Sequence, residues 1–180
     1  MLALLSYWDL SVLLFLNSLV GHSALGDAAL VFLATYLPFL IVIGFAFYIF
    51  RLSGLTKRQQ NIALLLSMLA AFISRIGITS SIRYFFQRER PFVALDVHDL
   101  FVVSSSSFPS GHAAFFFAFS TVVFHYNRTL GVVSFVLTLF VCLARVAAGV
   151  HYPSDILGGL VVGVFSGFLT LYVYKRFTNS

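Results

Sequence analysis

Five stretches of the chain are dominated by apolar residues, at 28–50, 62–85, 113–125, 130–148 and 156–174, and short polar segments separate them. A membrane helix needs about 20 such residues. The stretch 113–125 reaches that length only if its flanks join it. The pattern predicts five membrane helices. The first twenty residues carry Trp8 and Asp9 early and Asn17 late. Asp9 favours a helix in the interface over a sixth crossing. The expected fold is all-α: a polytopic membrane helix bundle of five spans plus an N-terminal interfacial (or sixth membrane) helix, with residues 1–180 forming one domain.

Composition sharpens this picture. Hydrophobic residues make up 60% of the chain and charged residues 9%, against roughly 25% charged in a soluble domain. The chain therefore reads as an integral membrane protein. A net charge of +5 would suggest nucleic acid in a soluble domain, but here the basic residues fall into two groups with different meanings, and no nucleic-acid partner is expected. If the five spans alternate, Arg51, Lys57, Arg58, Arg128, Lys175 and Arg176 share one side, which the positive-inside rule makes cytoplasmic. The outer side then receives the segment 87–110 and the turn around His151. The amino terminus lacks the basic region and small-residue cleavage site of a signal peptide, so the mature chain is expected to be the whole chain. The single cysteine, Cys142, lies in an apolar run, and no Cys/His cluster suggests zinc; no metal is expected.

Three polar segments meet at the outer surface. In RYFFQRERP, Arg83 and Arg90 lie seven residues apart, about two helical turns, so both can project from one face if the helix continues. Interfacial snorkelling is the plainer reading, and Arg88 and Glu89 fit it. In PSGH, Ser110 is a good helix cap, and the amides that follow lack intrahelical partners and attract anions. Gly111 lets an oxyanion approach the backbone, and His112 lies in the first turn. In ARVAAGVHYPSD, Arg145 precedes His151 by six residues and Asp155 follows it by four. Pro153 suits the first turn of the last span. A carboxylate four residues on can reach one imidazole nitrogen and leave the other free to attack, which favours a nucleophile. Plain capping by Ser154 or Asp155 is the alternative. Gly159, Gly163 and Gly167 continue from Asp155 at intervals of four, a small-residue stripe of the kind that packs helices closely. Asp155 shares that stripe and should face the bundle interior, where an ionisable group is a functional candidate.

Three arginines, a helix amino terminus, two histidines and a carboxylate make an anion site with chemistry. Guanidiniums and amides match the spread charge of a phosphoryl group in transfer, while one histidine attacks and the other protonates the departing oxygen.

At these residues the chain resembles the type 2 phosphatidic acid phosphatase family of membrane phosphatases. The family signature is a basic residue, six positions, RP; then PSGH; then SR, five positions, HxxxD. The chain departs from it at Arg83, where lysine is usual, and at Ala144, where serine often stands. The resemblance implies that His151 is the nucleophile forming a phosphohistidine, that Asp155 orients it, and that His112 is the acid for the leaving group. It implies that Arg83, Arg90, Ser110, Gly111 and Arg145 hold the phosphate, with no metal and no cofactor. The short chain and the segment RPFVALDVHDL are similar to small bacterial undecaprenyl-diphosphate phosphatases. The expected partners are a lipid phosphate or diphosphate and the surrounding membrane lipids. The expected place is the bacterial cytoplasmic membrane, with the site facing outward. Lipid A phosphate and phosphatidylglycerol phosphate are alternative substrates. An anion transporter is a reading of a different class, although broken helices and repeated halves are not visible. Asp96, His98 and Asp99 read as solvated loop polarity. Arg75, Thr79 and Arg83 recur at intervals of four, and Arg75 is expected to pair inside the bundle and support the site from below.

Overall fold

A computed structural model describes residues 7–51 and 54–178. The elements are α1 (Tyr7–Asn17), α2 (Ala24–Arg51), α3 (Lys57–Phe85), the single turn α4 (Pro91–Ala94), α5 (Gly111–Tyr126), α6 (Arg128–Ala147) and α7 (Pro153–Thr178). No strand occurs among the described residues. Two helices widen into π-helical turns, α2 at Phe32–Tyr36 and α3 at Ile73–Thr79.

Helix starts follow local chemistry. The Ser23 hydroxyl accepts the Gly26 amide, Thr56 and Gln59 form a reciprocal capping box, and the Asn127 side chain accepts the Leu130 amide at 2.9 Å. Each cap satisfies amides that the first helical turn leaves without partners. Asn127 is also the only residue between α5 and α6, so the two form a tight antiparallel hairpin.

Among the described residues four helices are long and apolar enough to cross a membrane: α2, α3, α6 and α7, of 28, 29, 20 and 26 residues. Five were expected from the hydrophobic pattern. The remaining one, α5, has 16 residues, about 24 Å of helix against a hydrocarbon core of about 30 Å. It is the most enclosed helix of the bundle, packed by α3, α6 and α7. The polar flank at its outer end stays outside the helix because Pro109 and Ser110 set its start.

The α5–α7 contact is built from small residues on both sides. A Cβ on Gly159 would stand 2.6 Å from the Ser110 carbonyl oxygen, one on Gly163 2.6 Å from the Ala114 oxygen, and one on Gly167 2.6 Å from the Thr121 Cβ. The glycine stripe therefore lets two backbones touch, and dispersion between them replaces the hydrophobic drive that lipid does not supply. Ala113, Ala114 and Ala118 complete the seam and are fully buried. Because the seam begins at Ser110, it fixes where the amino terminus of α5 stands relative to that of α7.

The amino-terminal helix gives Asp9 a role that its position in the sequence did not show. At 11 residues, α1 spans about 16 Å and docks against α6 and α7. Asp9 is 1% exposed. Its carboxylate accepts the Ser154 amide at 2.8 Å and the Ser154 hydroxyl at 2.6 Å, and pairs with Arg88 at 2.8 Å. The charge is thus paired and hydrogen-bonded inside the protein. Asn17, at the end of α1, donates to the carbonyls of His98 and Ala147 at 2.7 and 2.8 Å and accepts the His98 amide. The outer segment is thereby tied to the α6–α7 turn.

Candidate active site

All three motif segments converge at one end of the bundle. Asp155 lies in the first turn of α7, fully buried. Its Oδ2 accepts the Tyr152 amide at 2.8 Å and the Ser107 hydroxyl, and stands 3.4 Å from His151 Nδ1. Its Oδ1 receives Arg88 Nη1 at 2.6 Å. The carboxylate is thus held on all sides before it addresses the imidazole.

His151 occupies the turn before α7 and is 1% exposed. Its Nε2 lies 3.4 Å from Arg90 Nη1. A guanidinium has only donors, so this neighbour fits an Nε2 lone pair, with the ring proton on Nδ1 toward Asp155. Burial pushes the imidazole down to about 4 from its ordinary 6.5, against the opposing pull of Asp155. The ring is neutral at physiological pH. Its depressed value means that it contributes stability present above pH 6.5 and lost as pH falls from there toward 4. We expect that His151→Asn flattens the acid loss of thermal stability in this window, as read by melting in detergent between pH 7 and 4. An unchanged acid slope would show that His151 is not the group that titrates there.

His112 lies in the first turn of α5, half-buried, in the neighbourhood of the cations Arg145, Arg75 and Arg83 and of the neutral His151 ring. The two histidines therefore belong to one electrostatic neighbourhood, although they start from different helices. Ser110 caps α5: its hydroxyl faces the Ala113 amide, and its own amide donates to the Asp155 carbonyl at 2.9 Å. The start of α5 and the start of α7 are thus bonded directly. Gly111 presents a bare backbone to two cations, since a Cβ there would stand 3.2 Å from Arg75 Nη1 and 3.6 Å from Arg83 Nη2.

The arginines divide by what they touch. Arg90 donates to the carbonyls of Ser105 and Val150 at 2.7 and 2.6 Å, clamping the serine loop to the His151 turn. Burial, then the charge of Arg83, lowers it to about 10, so it stays cationic. Arg83 donates to the Pro109 carbonyl at 2.8 and 3.1 Å and to Ser105 Oγ. Arg145 donates to the Ala34 carbonyl, lies over the Phe101 ring and leaves a buried Nε–H without a partner among the described residues. Such a group is costly unless a ligand completes it.

Three contributors were not singled out in the sequence. Arg88, read there as a snorkelling cation, bridges Asp9 and Asp155 and lies over the Tyr152 ring at 4.1 Å. Asp9 and Ser107 are the others. Arg88 stands two residues before the RP pair, but nothing local marks a partner 67 residues away. An open cavity of about 910 Å³ is lined by Arg83, Arg88, Glu89, Arg90, Ser104 and Ser105, among others. With three arginines against one glutamate its lining is net cationic.

A family profile described as the PAP2 superfamily matches residues 62–179, more than half of the chain. The chain belongs to this superfamily. The matched region includes every site residue named from the motifs and leaves out Asp9. The chain is similar to the Bacitracin transport permease protein BcrC of Bacillus licheniformis, 26% identical over 164 residues, covering 90% of this chain and 78% of the relative. It is similar to the Undecaprenyl-diphosphatase BcrC of Bacillus subtilis (strain 168), 29% identical over 155 residues, covering 86% and 78%. Among solved structures it resembles Aquifex aeolicus LpxE, with a TM-score of 0.73 and 25% identity over 93% of this chain and 96% of that one. As a PAP2 member with several membrane-length helices, the protein is a multi-pass membrane lipid phosphatase.

Proposed function

We propose that the protein removes the terminal phosphate of a polyprenyl diphosphate, most fittingly undecaprenyl diphosphate, through a phosphohistidine. The observation that carries this reading is the buried His151–Asp155 pair, whose free Nε2 faces a guanidinium beside an anion-binding helix terminus. Nε2 attacks the terminal phosphorus, and the bond to the bridging oxygen breaks with its electron pair leaving on the lipid phosphate. His112 gives that oxygen a proton. Water then attacks the phosphorus, His112 takes the water's proton, and the P–N bond breaks to return neutral His151 and inorganic phosphate. Arg83, Arg145 and the amides at Gly111 and His112 stabilise the equatorial oxygens in the transition state. Ser110 acts by holding the helix start, and Arg90 by holding the loop and the nucleophile's turn.

In the membrane, α5 completes a set of five spans as the third in chain order, short because its ends are sheathed by longer neighbours. The cationic ends at Arg51, Lys57, Arg58, Arg128, Lys175 and Arg176 face the cytoplasm of a bacterial cell. The site then opens on the extracytoplasmic side, where a diphosphate carrier is released during wall synthesis. The similarity to an undecaprenyl-diphosphatase supports the substrate.

Phosphate release from purified protein in detergent tests this reading, with undecaprenyl diphosphate, lipid A phosphate and phosphatidylglycerol phosphate supplied in parallel. The highest kcat/KM is expected for the diphosphate. Preference for either other lipid would replace the substrate and keep the chemistry. No release from any of them would overturn the hydrolytic reading in favour of an anion permease.

A further inference from the structure

Arg75 was expected to pair inside the bundle. Among the described residues its guanidinium has no hydrogen-bond or ion-pair partner. Its Nη1 is instead 3.2 Å from the position a Gly111 Cβ would take, beside Arg83 Nη2. In a regular helix residues eight apart differ by about 80° around the axis, and the π-helical turns at Ile73–Thr79 close that gap. Arg75 thus stands among the cations of the active site. A second group of cations, at the other end of the bundle, is not accounted for by that site.

Two contacts fix the ends of the bundle. Ala34, early in α2, meets Arg145 at the outer end of α6, and Tyr48, late in α2, accepts the Asn127 side chain at the tip of the α5–α6 hairpin. All six acidic side chains then fall at the outer end. Asp9, Glu89 and Asp155 stand at the active site or its open cavity, Asp96 and Asp99 flank His98, and Asp27 is in the first turn of α2. The inner end carries Arg51, Lys57, Arg58, Arg128, Lys175 and Arg176 and, among the described residues, no Asp or Glu.

Between the inner halves of α5, α6 and α7 runs a groove of about 480 Å³, within the size range of lipid-like ligand sites. Phe124, Phe135, Val164, Phe168 and Leu171 line it, and His125 and Arg128 stand at its inner end. The Thr121 hydroxyl, which also lines it, is spent on the Phe117 carbonyl at 2.7 Å, so the body of the groove is apolar. Arg128 lies over the Phe124 ring at 4.8 Å, a contact that holds its guanidinium at the mouth. Lys175 and Arg128 both lie in the neighbourhood of His125. His125 is 14 residues from Gly111 on the same helix, about 21 Å along the axis, so the groove is separate from the active site.

We propose that this groove binds an anionic phospholipid of the inner leaflet, with an acyl chain along the phenylalanines and the headgroup phosphate held by Arg128 and Lys175. An apolar body with a cationic mouth complements such a lipid, and the Arg128 fork suits phosphate oxygens. A zwitterionic headgroup would bring its own cation against the two already there. The three helices that the lipid joins carry His112, Arg145 and Asp155 at their opposite ends.

Native mass spectrometry of the detergent-solubilised protein tests this, with phosphatidylglycerol and phosphatidylcholine of the same acyl chains titrated separately and orthovanadate present to occupy the active site. Two cations at the mouth are expected to favour phosphatidylglycerol about thirtyfold in the wild type. Arg128→Gln combined with Lys175→Gln should remove that preference, and each single substitution should lower it about fivefold. Lys57→Gln combined with Arg58→Gln, which takes two charges from the same end but none from the groove, should leave it intact. Phosphate release in detergent without phospholipid should be the same in both double variants as in the wild type. Equal affinity of the wild type for the two lipids would overturn the inference. So would a preference that survives Arg128→Gln with Lys175→Gln, which places the lipid elsewhere, or one lost equally with Lys57→Gln and Arg58→Gln, which makes it a diffuse attraction of the whole inner face.

Discussion

Replacing His151 with asparagine is expected to cut phosphate release by about four orders of magnitude or more while the protein stays folded. Asparagine places an N–H near the position of Nδ1, so the Ser107, Tyr152 and Arg88 contacts that hold Asp155 keep a donor where the ring stood. What is lost is Nε2, the atom that would bond phosphorus. The arginines and the α5 terminus remain, so the variant should still bind a lipid diphosphate with a Kd near that of the wild type. Phosphate release and equilibrium binding together check this. A variant that turns over at a tenth of the wild-type rate would remove His151 from the bond-making step.

Arg88→Met should be the most damaging change outside the histidines. The Arg88 guanidinium is the counter-ion of two carboxylates that are 1% and 0% exposed. Removing it strands both, and breaking a buried pair in this way costs about 3–5 kcal/mol. Activity should fall with stability, because Asp155 loses the cation that fixes its Oδ1 and the imidazole loses a fixed partner. Adding Asp9→Asn to Arg88→Met should recover part of the melting temperature, since one stranded charge is then neutral. The asparagine can still accept the Ser154 amide. A melting curve for Arg88→Met that overlays the wild type would return Arg88 to the role of a snorkelling surface cation.

These two residues also mark what could be read from the chain alone. His151 and Asp155 were legible because one helical turn separates them and the turn residues Pro153 and Ser154 announce a helix start. The Gly159, Gly163 and Gly167 stripe was legible for the same reason: a period of four on one helix dictates one face, and the structure lays that face on α5. Arg88 and Asp9 were not legible. Their partners lie on other elements, at separations of 67 and 79 residues along the chain, and a lone charge at a membrane boundary has the same sequence signature whether it snorkels or pairs. The position of Arg75 was half legible. Its spacing from Arg83 suggested a shared face, but a regular helix would not have aligned them, and the π-helical turns that do so leave no local pattern of their own. The shortness of α5 was legible in the apolar stretch 113–125; what the pattern did not give is that Pro109 and Ser110 start the helix at Gly111 and keep the flank from lengthening it.

Diffraction from crystals grown with orthovanadate, which takes up the geometry of a phosphoryl group in transfer, tests most directly whether His151 and His112 act on one phosphorus. The account predicts vanadium bonded to His151 Nε2, its equatorial oxygens against Arg83, Arg145 and the Gly111 and His112 amides, and His112 at the apical oxygen opposite. Vanadium bound to another atom, or held with the His112 ring out of reach of that apical oxygen, would contradict it.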